Sequence, residues 1–190
     1  TVATAPENPM RLAAAAPEAM WLPLETDEAG FLRSSDQNRK TLEKQLSRAN
    51  AVLLGCGLGV TEETRRLVHW VLEQAVCPVV LDADGLNCAV SCIELSRRTG
   101  KDWILTPHPG EMARLTGRSI PQIQENRVET ATQFAAAYPV TLALKGAGTL
   151  VAQGSRLAQN PTGNPGMSRG GSGDVLAGLI AAFAAQGIPS

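Results

Sequence analysis

Ala51-Val52-Leu53-Leu54-Gly55-Cys56-Gly57-Leu58-Gly59 is the stretch on which the fold turns. Four apolar residues ending in three closely spaced glycines read as a buried strand entering a glycine turn. Thr61 follows as a plausible N-cap, with Glu62 and Glu63 favourably placed in a first helical turn. Leu67, Val68, Val71, Leu72 and Ala75 then recur at helical spacing, so the helix buries one face. Pro78 closes it, and Val79-Val80-Leu81 forms the next buried strand.

The same unit repeats outward from this point. Trp103-Ile104-Leu105 reads as a strand, a helix begins over residues 110–115, and Ile123, Val128, Ala131, Phe134, Ala135 and Tyr138 predict one longer helix. Residues 140–144 predict a strand, and residues 149–152 with 156–158 predict a hairpin around Gly154. An apolar helix over residues 174–185 is introduced by glycines. Upstream, residues 2–5 read as the end of a strand and residues 8–16 as an Ala-rich helix. Residues 26–40 read as polar loop, and residues 41–49 as a short helix. Helices alternating with continuously apolar strands predict an α/β fold, its sheet mainly parallel and covered by helices on both faces. No low-complexity segment or linker divides the chain, so residues 1–190 are read as a single domain.

Composition narrows the function classes. The chain of 190 residues is 44% hydrophobic, enough for a sizeable core, and its 18 glycines and 4% aromatics suit an α/β protein with many tight loops. With 17 basic and 18 acidic residues and a net charge of -1, it offers no electrostatic case for nucleic acid or an anionic membrane surface. A phosphate site must therefore be local, built from backbone amides and a few side chains. No run of about 18 apolar residues predicts a transmembrane helix, and Thr1-Val2-Ala3-Thr4 does not read as a signal peptide. Cys56, Cys77, Cys88 and Cys92 show neither CxxC nor zinc spacing and are expected to be buried reduced thiols, which suits a cytoplasmic protein.

Five segments carry candidate chemistry. In residues 164–176 the run Arg169-Gly170-Gly171-Ser172-Gly173-Asp174 opens a helix, where glycine backbones, unpaired amides and the positive dipole end attract phosphate. A carboxylate beside such a site is unfavourable for simple anion binding, so Asp174 is read as a base acting on an attacking hydroxyl. The competing reading is a helix start with turn glycines. Lys145-Gly146-Ala147-Gly148-Thr149 follows a strand and offers a charge, a tight loop and a hydroxyl. It is not a Walker A loop, and a plain hairpin turn with a solvated Lys stays open as an alternative. Thr106-Pro107-His108-Pro109-Gly110-Glu111 lies at a strand's carboxyl end, where open sheets bind ligands. His108 can donate to a polar substrate and Glu111 can orient magnesium-bound water; an ordinary loop His and a first-turn Glu compete with that. Asp82 and Asp84, in Leu81-Asp82-Ala83-Asp84-Gly85-Leu86-Asn87, can help hold a magnesium–phosphate assembly, against a rival in which Asp84 caps a helix. Residues 55–59 lack the full GxGxxG spacing, which argues against a dinucleotide Rossmann site.

Taken together, in order, residues 55–59, 81–87, 106–111, 145–149 and 163–176 resemble the ribokinase-like superfamily, and within it the NAD(P)H-hydrate dehydratases. The Gly170–Asp174 run resembles the superfamily's anion hole with its catalytic Asp. His108 in His-Pro-Gly-Glu, where many related kinases carry Asn, and the Gly-Asn-Pro-Gly-Met lead-in are similar to the dehydratases. The resemblance implies a three-layer sandwich and nucleotide-dependent repair of hydrated NADH or NADPH. It assigns the base to Asp174, nucleotide contacts to Lys145, Gly146, Ala147, Gly148, Thr149 and Gly173, and hydrated-dinucleotide contacts to Gly57, His108 and Asp174. Magnesium is implied, with Glu111 reaching it through water. ADP is the usual co-substrate in bacterial members and ATP in eukaryotic ones. A homo-oligomer is implied, tetramers being usual among stand-alone bacterial relatives, and many relatives carry a fused epimerase domain.

Two substitutions depart from the family pattern: Ser172 stands where Thr is common, and Gly85 where Ala is common. The resemblance also implies a further strand-and-helix segment before Thr1 and more helix after Ser190, so the chain is expected to be an incomplete domain. Two alternatives remain: a vitamin-precursor kinase of the same fold, against which His108 speaks, and a non-catalytic nucleotide-binding fragment, against which Asp174 speaks.

Overall fold

The computed structural model describes residues 1–189, the side chain of Arg98 excepted. From the amino end, β1 (Val2–Thr4), α1 (Asn8–Leu12) and β2 (Trp21–Pro23) form a small unit in which the two strands pair in parallel. Next come α2 (Asp36–Leu46), β3 (Val52–Leu54), α3 (Glu62–Gln74), β4 (Val79–Leu81) and α4 (Ala83–Ala89). A 3-10 turn over Val90–Leu95 leads into α5 (Ser96–Thr99) and β5 (Trp103–Leu105). After α6 (Pro109–Thr116), α7 (Ile120–Glu125) and α8 (Arg127–Ala137), the chain enters β6 (Val140–Leu144) and the hairpin β7 (Leu150–Gln153) and β8 (Arg156–Gln159). It ends its regular structure in α9 (Ser172–Ala185).

Strands β3 to β8 form one sheet in sequence order, parallel through β6 and antiparallel in the hairpin. Alternation along the strands divides the core. Val79, Leu81, Trp103, Leu105 and Leu142 join the large cluster beneath α3, α4, α6 and α8. Val80 and Ile104 point the other way, onto Ala177 and Ala184 of α9. Strands β4 and β5 are therefore apolar at every position because both faces are covered, and the three-layer arrangement expected from the sequence is present. Among the described residues no helix is long and apolar enough to cross a membrane.

Several local expectations need correction. Residues 36–40 are not loop: α2 starts at Asp36, with Ser35 Oγ accepting from Asn38 N–H. Buried Asn38 in turn bonds the backbone of Glu25 and Arg33, which ties the polar connection down. The single helix expected over 123–138 is two, broken at Asn126 (φ -125°, ψ 44°). The helix expected over 8–16 ends at Leu12. The expected strands of the main sheet and the Gly154 hairpin are present.

Between β1–β2 and β3 lies an apolar cavity of ≈ 760 Å³, lined among others by Val2, Leu22, Leu46, Leu53, Val71 and Ala181. It separates the small amino-terminal sheet from the main one.

Candidate active site

Parallel strands send all their following loops to one edge, and here that edge gathers the segments after β3, β4, β5 and β6. The backbones of the first two are pressed together. A Cβ on Gly55 would lie 1.8 Å from the Asp82 carbonyl oxygen, and one on Gly85 would lie 2.3 Å from the Leu54 carbonyl oxygen. Both positions thus require glycine, and Gly85 matches its surroundings where Ala would not. Ala83 takes φ +47°, a left-handed conformation that costs a non-glycine residue of order 1 kcal/mol. This turn starts α4 directly behind Asp82.

Asp82 is the hub. Its side chain is 1% exposed, and its Oδ1 accepts from Thr106 Oγ1 (2.8 Å) and from Lys145 Nζ (2.6 Å). Lys145 Nζ also lies 3.9 Å from Glu111 Oε2. The Lys145 N–H donates to Pro107 O at 2.8 Å, so backbone and ammonium are both fixed. Buried charges persist when paired and hydrogen-bonded, and this pair holds the loops after β4, β5 and β6 in one register. Gly173 completes the cluster: a Cβ there would stand 3.3 Å from Lys145 Nζ and 3.6 Å from Asp82 Oδ2. The amino end of α9 therefore abuts the Lys145–Asp82 pair, and Asp174 sits in its first turn.

Asp174, Asp82 and Cys56 bring their carboxylate oxygens and thiol within 4.8 Å of one another. Partial burial, then the hydrogen bond to Asp174 and the charges of Asp174 and Asp82, push the Cys56 thiol up to about 11. Cys56 is therefore a protonated, unreactive thiol near neutral pH. It is exposed, contrary to the expectation that all four cysteines are buried; Cys77, Cys88 and Cys92 are buried, and all four are free. Its place in the glycine turn gave no sign that Asp174, far along the chain, would meet it.

His108 caps α6. Its Nδ1 accepts from Gly110 N–H (3.0 Å) and Glu111 N–H (3.4 Å), while Glu111 Oε2 accepts from His108 N–H (2.8 Å). The other ring nitrogen, Nε2, lies 3.3 Å from Glu111 Oε1. The imidazole is half exposed and Glu111 is buried. Both are brought to the site edge, and Glu111 is near Lys145. Asp84 is not the N-cap weighed for it: the N-cap of α4 is Asp82, and Asp84 Oδ2 accepts from Gly59 N–H at 2.8 Å. It fixes the glycine loop, whose Gly57 is exposed with open space at its Cβ position. In the loop after β6, the Thr149 hydroxyl donates to Gly146 O at 3.0 Å and closes the turn, and Ala147 is at its exposed tip.

The sum of charge is informative. Asp82 and Glu111 flank the Lys145 ammonium and Asp174 lies against Asp82, so carboxylates outnumber ammonium groups in this cluster. Carboxylate oxygens are hard donors, suited to a hydrated divalent ion bound through one or two carboxylates together with phosphate. The donor set fits magnesium.

The model of the NAD(P)H-hydrate dehydratase family matches residues 1–190. The chain is 41% identical over 172 residues to the bifunctional NAD(P)H-hydrate repair enzyme Nnr of Moorella thermoacetica, covering 90% of this chain and 32% of that protein. To the ADP-dependent (S)-NAD(P)H-hydrate dehydratase of Neisseria meningitidis it is 42% identical over 144 residues, covering 74% of this chain and 49% of that protein. Among solved structures, the ADP/ATP-dependent NAD(P)H-hydrate dehydratase of Bacillus subtilis, co-crystallised with ATP and Mg2+, superposes with a TM-score of 0.70. It is 32% identical, over 94% of this chain and 59% of that one. The chain thus spans a third to a half of the length of these curated relatives. Its match to the family model along its whole length, on a sheet edge where Asp174, Lys145 and His108 converge, places the chain in the NAD(P)H-hydrate dehydratase family.

Proposed function

We propose that this chain performs the nucleotide-dependent dehydration of hydrated NADH or NADPH, a repair that returns the reduced cofactor. The observation that carries the reading is the placement of Gly173 and Asp174, at the start of α9, against the Lys145–Asp82 pair. It puts a carboxylate, a fixed ammonium and a helix amino end around one point, the requirements of phosphoryl transfer to a hydroxyl.

In this scheme Asp174 accepts the proton of the ring hydroxyl as its oxygen attacks the terminal phosphorus of ADP or ATP. The bond between that phosphorus and the bridging oxygen breaks, leaving AMP or ADP. The phosphorylated ring then loses phosphate and a proton from the neighbouring carbon, which forms the ring double bond. Hydroxide is a poor leaving group, and phosphorylation turns it into a good one. Gly57 and the half-exposed imidazole of His108 contact the hydrated dinucleotide. Lys145, Gly146, Ala147, Gly148, Thr149 and Gly173 hold the nucleotide, and Lys145 is aimed at its phosphates by Asp82. Glu111, through water, with Asp82 and Asp84, would hold magnesium, which would neutralise phosphate charge. The whole protein is proposed to act in the cytoplasm, as free thiols suit a reducing compartment. It is proposed to be a homo-oligomer, a tetramer in the simplest case, and to work with an epimerase that is fused or separate.

The test is incubation of the full-length protein with hydrated NADH, magnesium and either ADP or ATP. Return of the reduced-nicotinamide absorbance with one phosphate released per turnover is expected. A stable phosphorylated product without phosphate release would instead mark a small-molecule kinase.

A further inference from the structure

Arg127 opens α8, far in sequence from every motif described above, yet its guanidinium is spent on the loop after β6. Nη1 donates to Lys145 O (3.2 Å), and Nη2 to Leu144 O (3.2 Å) and Gly148 O (3.5 Å). The approach is so close that a Cβ on Gly146 would fall 2.5 Å from Nη1, which gives Gly146 a reason independent of any ligand. Nη1 also reaches Gln124 Oε1 at 3.5 Å. Among the described residues no carboxylate pairs with Arg127. Its charge therefore serves three backbone carbonyls and one side-chain amide oxygen, an arrangement for which the planar fork of Arg, and not the point charge of Lys, is suited.

Peptide geometry then fixes the other side of the loop. No peptide here is cis, and in a trans unit the C=O and N–H point in opposite directions. The unit joining Leu144 and Lys145 shows the consequence: its C=O faces Arg127 and its N–H reaches Pro107 O, on the site edge. The carbonyls of Lys145 and Gly148 also face Arg127, so the N–H groups of Gly146 and Thr149 are turned away from it. We infer that Arg127 is a positioning residue for the nucleotide site: by gathering three carbonyls on one side, it presents the loop amides and the Lys145 ammonium to a phosphate-bearing ligand on the other. The inference rests on the nucleotide reading of residues 145–149.

Its test uses the full-length enzyme with Arg127→Met, Arg127→Lys and Gly148→Val, titrating ADP and ATP by calorimetry and measuring KM for each substrate and kcat. Arg127→Met is expected to raise the nucleotide Kd and KM about tenfold or more, and KM for hydrated NADH no more than about twofold. Because no reacting group is lost, kcat at saturation should stay within about threefold. Arg127→Lys keeps charge and stem, and so decides the matter should the Met variant not fold; it is expected to bind nucleotide nearly as poorly as Met. Wild-type nucleotide affinity in both Arg127 variants, with Gly148→Val impaired, would overturn the role of Arg127 and spare the loop assignment. Unchanged nucleotide affinity in all three would overturn both. An equal rise in the two KM values would reduce Arg127 to general support of the fold and likewise overturn the inference.

Discussion

Strands β4 and β5 and strands β1 and β2 are all three residues long, but their surroundings differ. Every side chain of β4 and β5 is buried, between α3, α4 and α6 on one face and α9 on the other. In β1 and β2 none is fully buried, and an apolar cavity lies between the unit and β3, although Leu22 packs against the main core. The candidate site lies at the edge of the sheet that contains the first region. The site is thus held by the continuous sheet and by one buried ion pair, whereas the amino-terminal unit and the outer face of α9 expose much of their apolar surface. Val175, Leu179 and Phe183 on α9 are each more than half exposed.

The contrast can be broken first by stability. Leu105→Ala, at a fully buried position of β5, is expected to cost about 2–5 kcal/mol. Leu12→Ala, at the exposed end of α1, should stay within about 0.5 kcal/mol. Thermal unfolding of the two variants would erase the comparison if it ranked them equally. Next is association. The polypeptide of residues 1–190 alone is expected to elute from size-exclusion columns as more than a monomer, because apolar surface of this extent seeks a cover. Exchanging Leu179 and Phe183 for Ser should shift it toward the monomer; a wild-type monomer would show that the exposed face is tolerated.

Within the site the expected effects are smaller and divide by substrate. Gly148→Val places a branched side chain where Gln159 Nε2 lies 2.5 Å from the Cβ position, at φ +64°. It should weaken ADP or ATP binding about tenfold in calorimetry and leave the hydrated dinucleotide largely unaffected. If the two ligands exchanged responses, the halves of the site would be reversed. His108 has two duties to separate, since it caps α6 as well as facing the substrate side. His108→Ala should lose the cap, about 1 kcal/mol in unfolding, and raise KM for the dinucleotide several-fold. His108→Asn should keep the cap and still raise that KM, and equal effects on both substrates would leave His108 as structure only.

How much of this was legible follows from the range of the interactions. Strands β3 to β6 announce themselves because each is an apolar run ended by glycine or polar residues, and Gly171–Asp174 is a local pattern. The beginning of α2 is concealed because Asn38, a polar residue, is buried by satisfying three backbone groups outside its helix. Strand β2, with Pro23 in it, shows no alternation to read. The hub of the site is non-local: Lys145 and Asp82 are 63 residues apart, and Arg127 reaches its carbonyls from a different helix. Local patterns thus name the candidate residues, but the pairing of Asp82 with Lys145, the contact of Cys56 with Asp174 and the bond of Asp84 to the Gly59 amide required the fold.

The central claim is that Asp174 acts as the base while the nucleotide is held by other groups. Its most direct test is Asp174→Asn in the full-length enzyme, with turnover followed by the reduced-nicotinamide absorbance and nucleotide binding by calorimetry on the same preparation. A fall in kcat on the order of a hundredfold or more is expected, with Kd for ADP or ATP within a few-fold of wild type. A variant that keeps most of its kcat would contradict it.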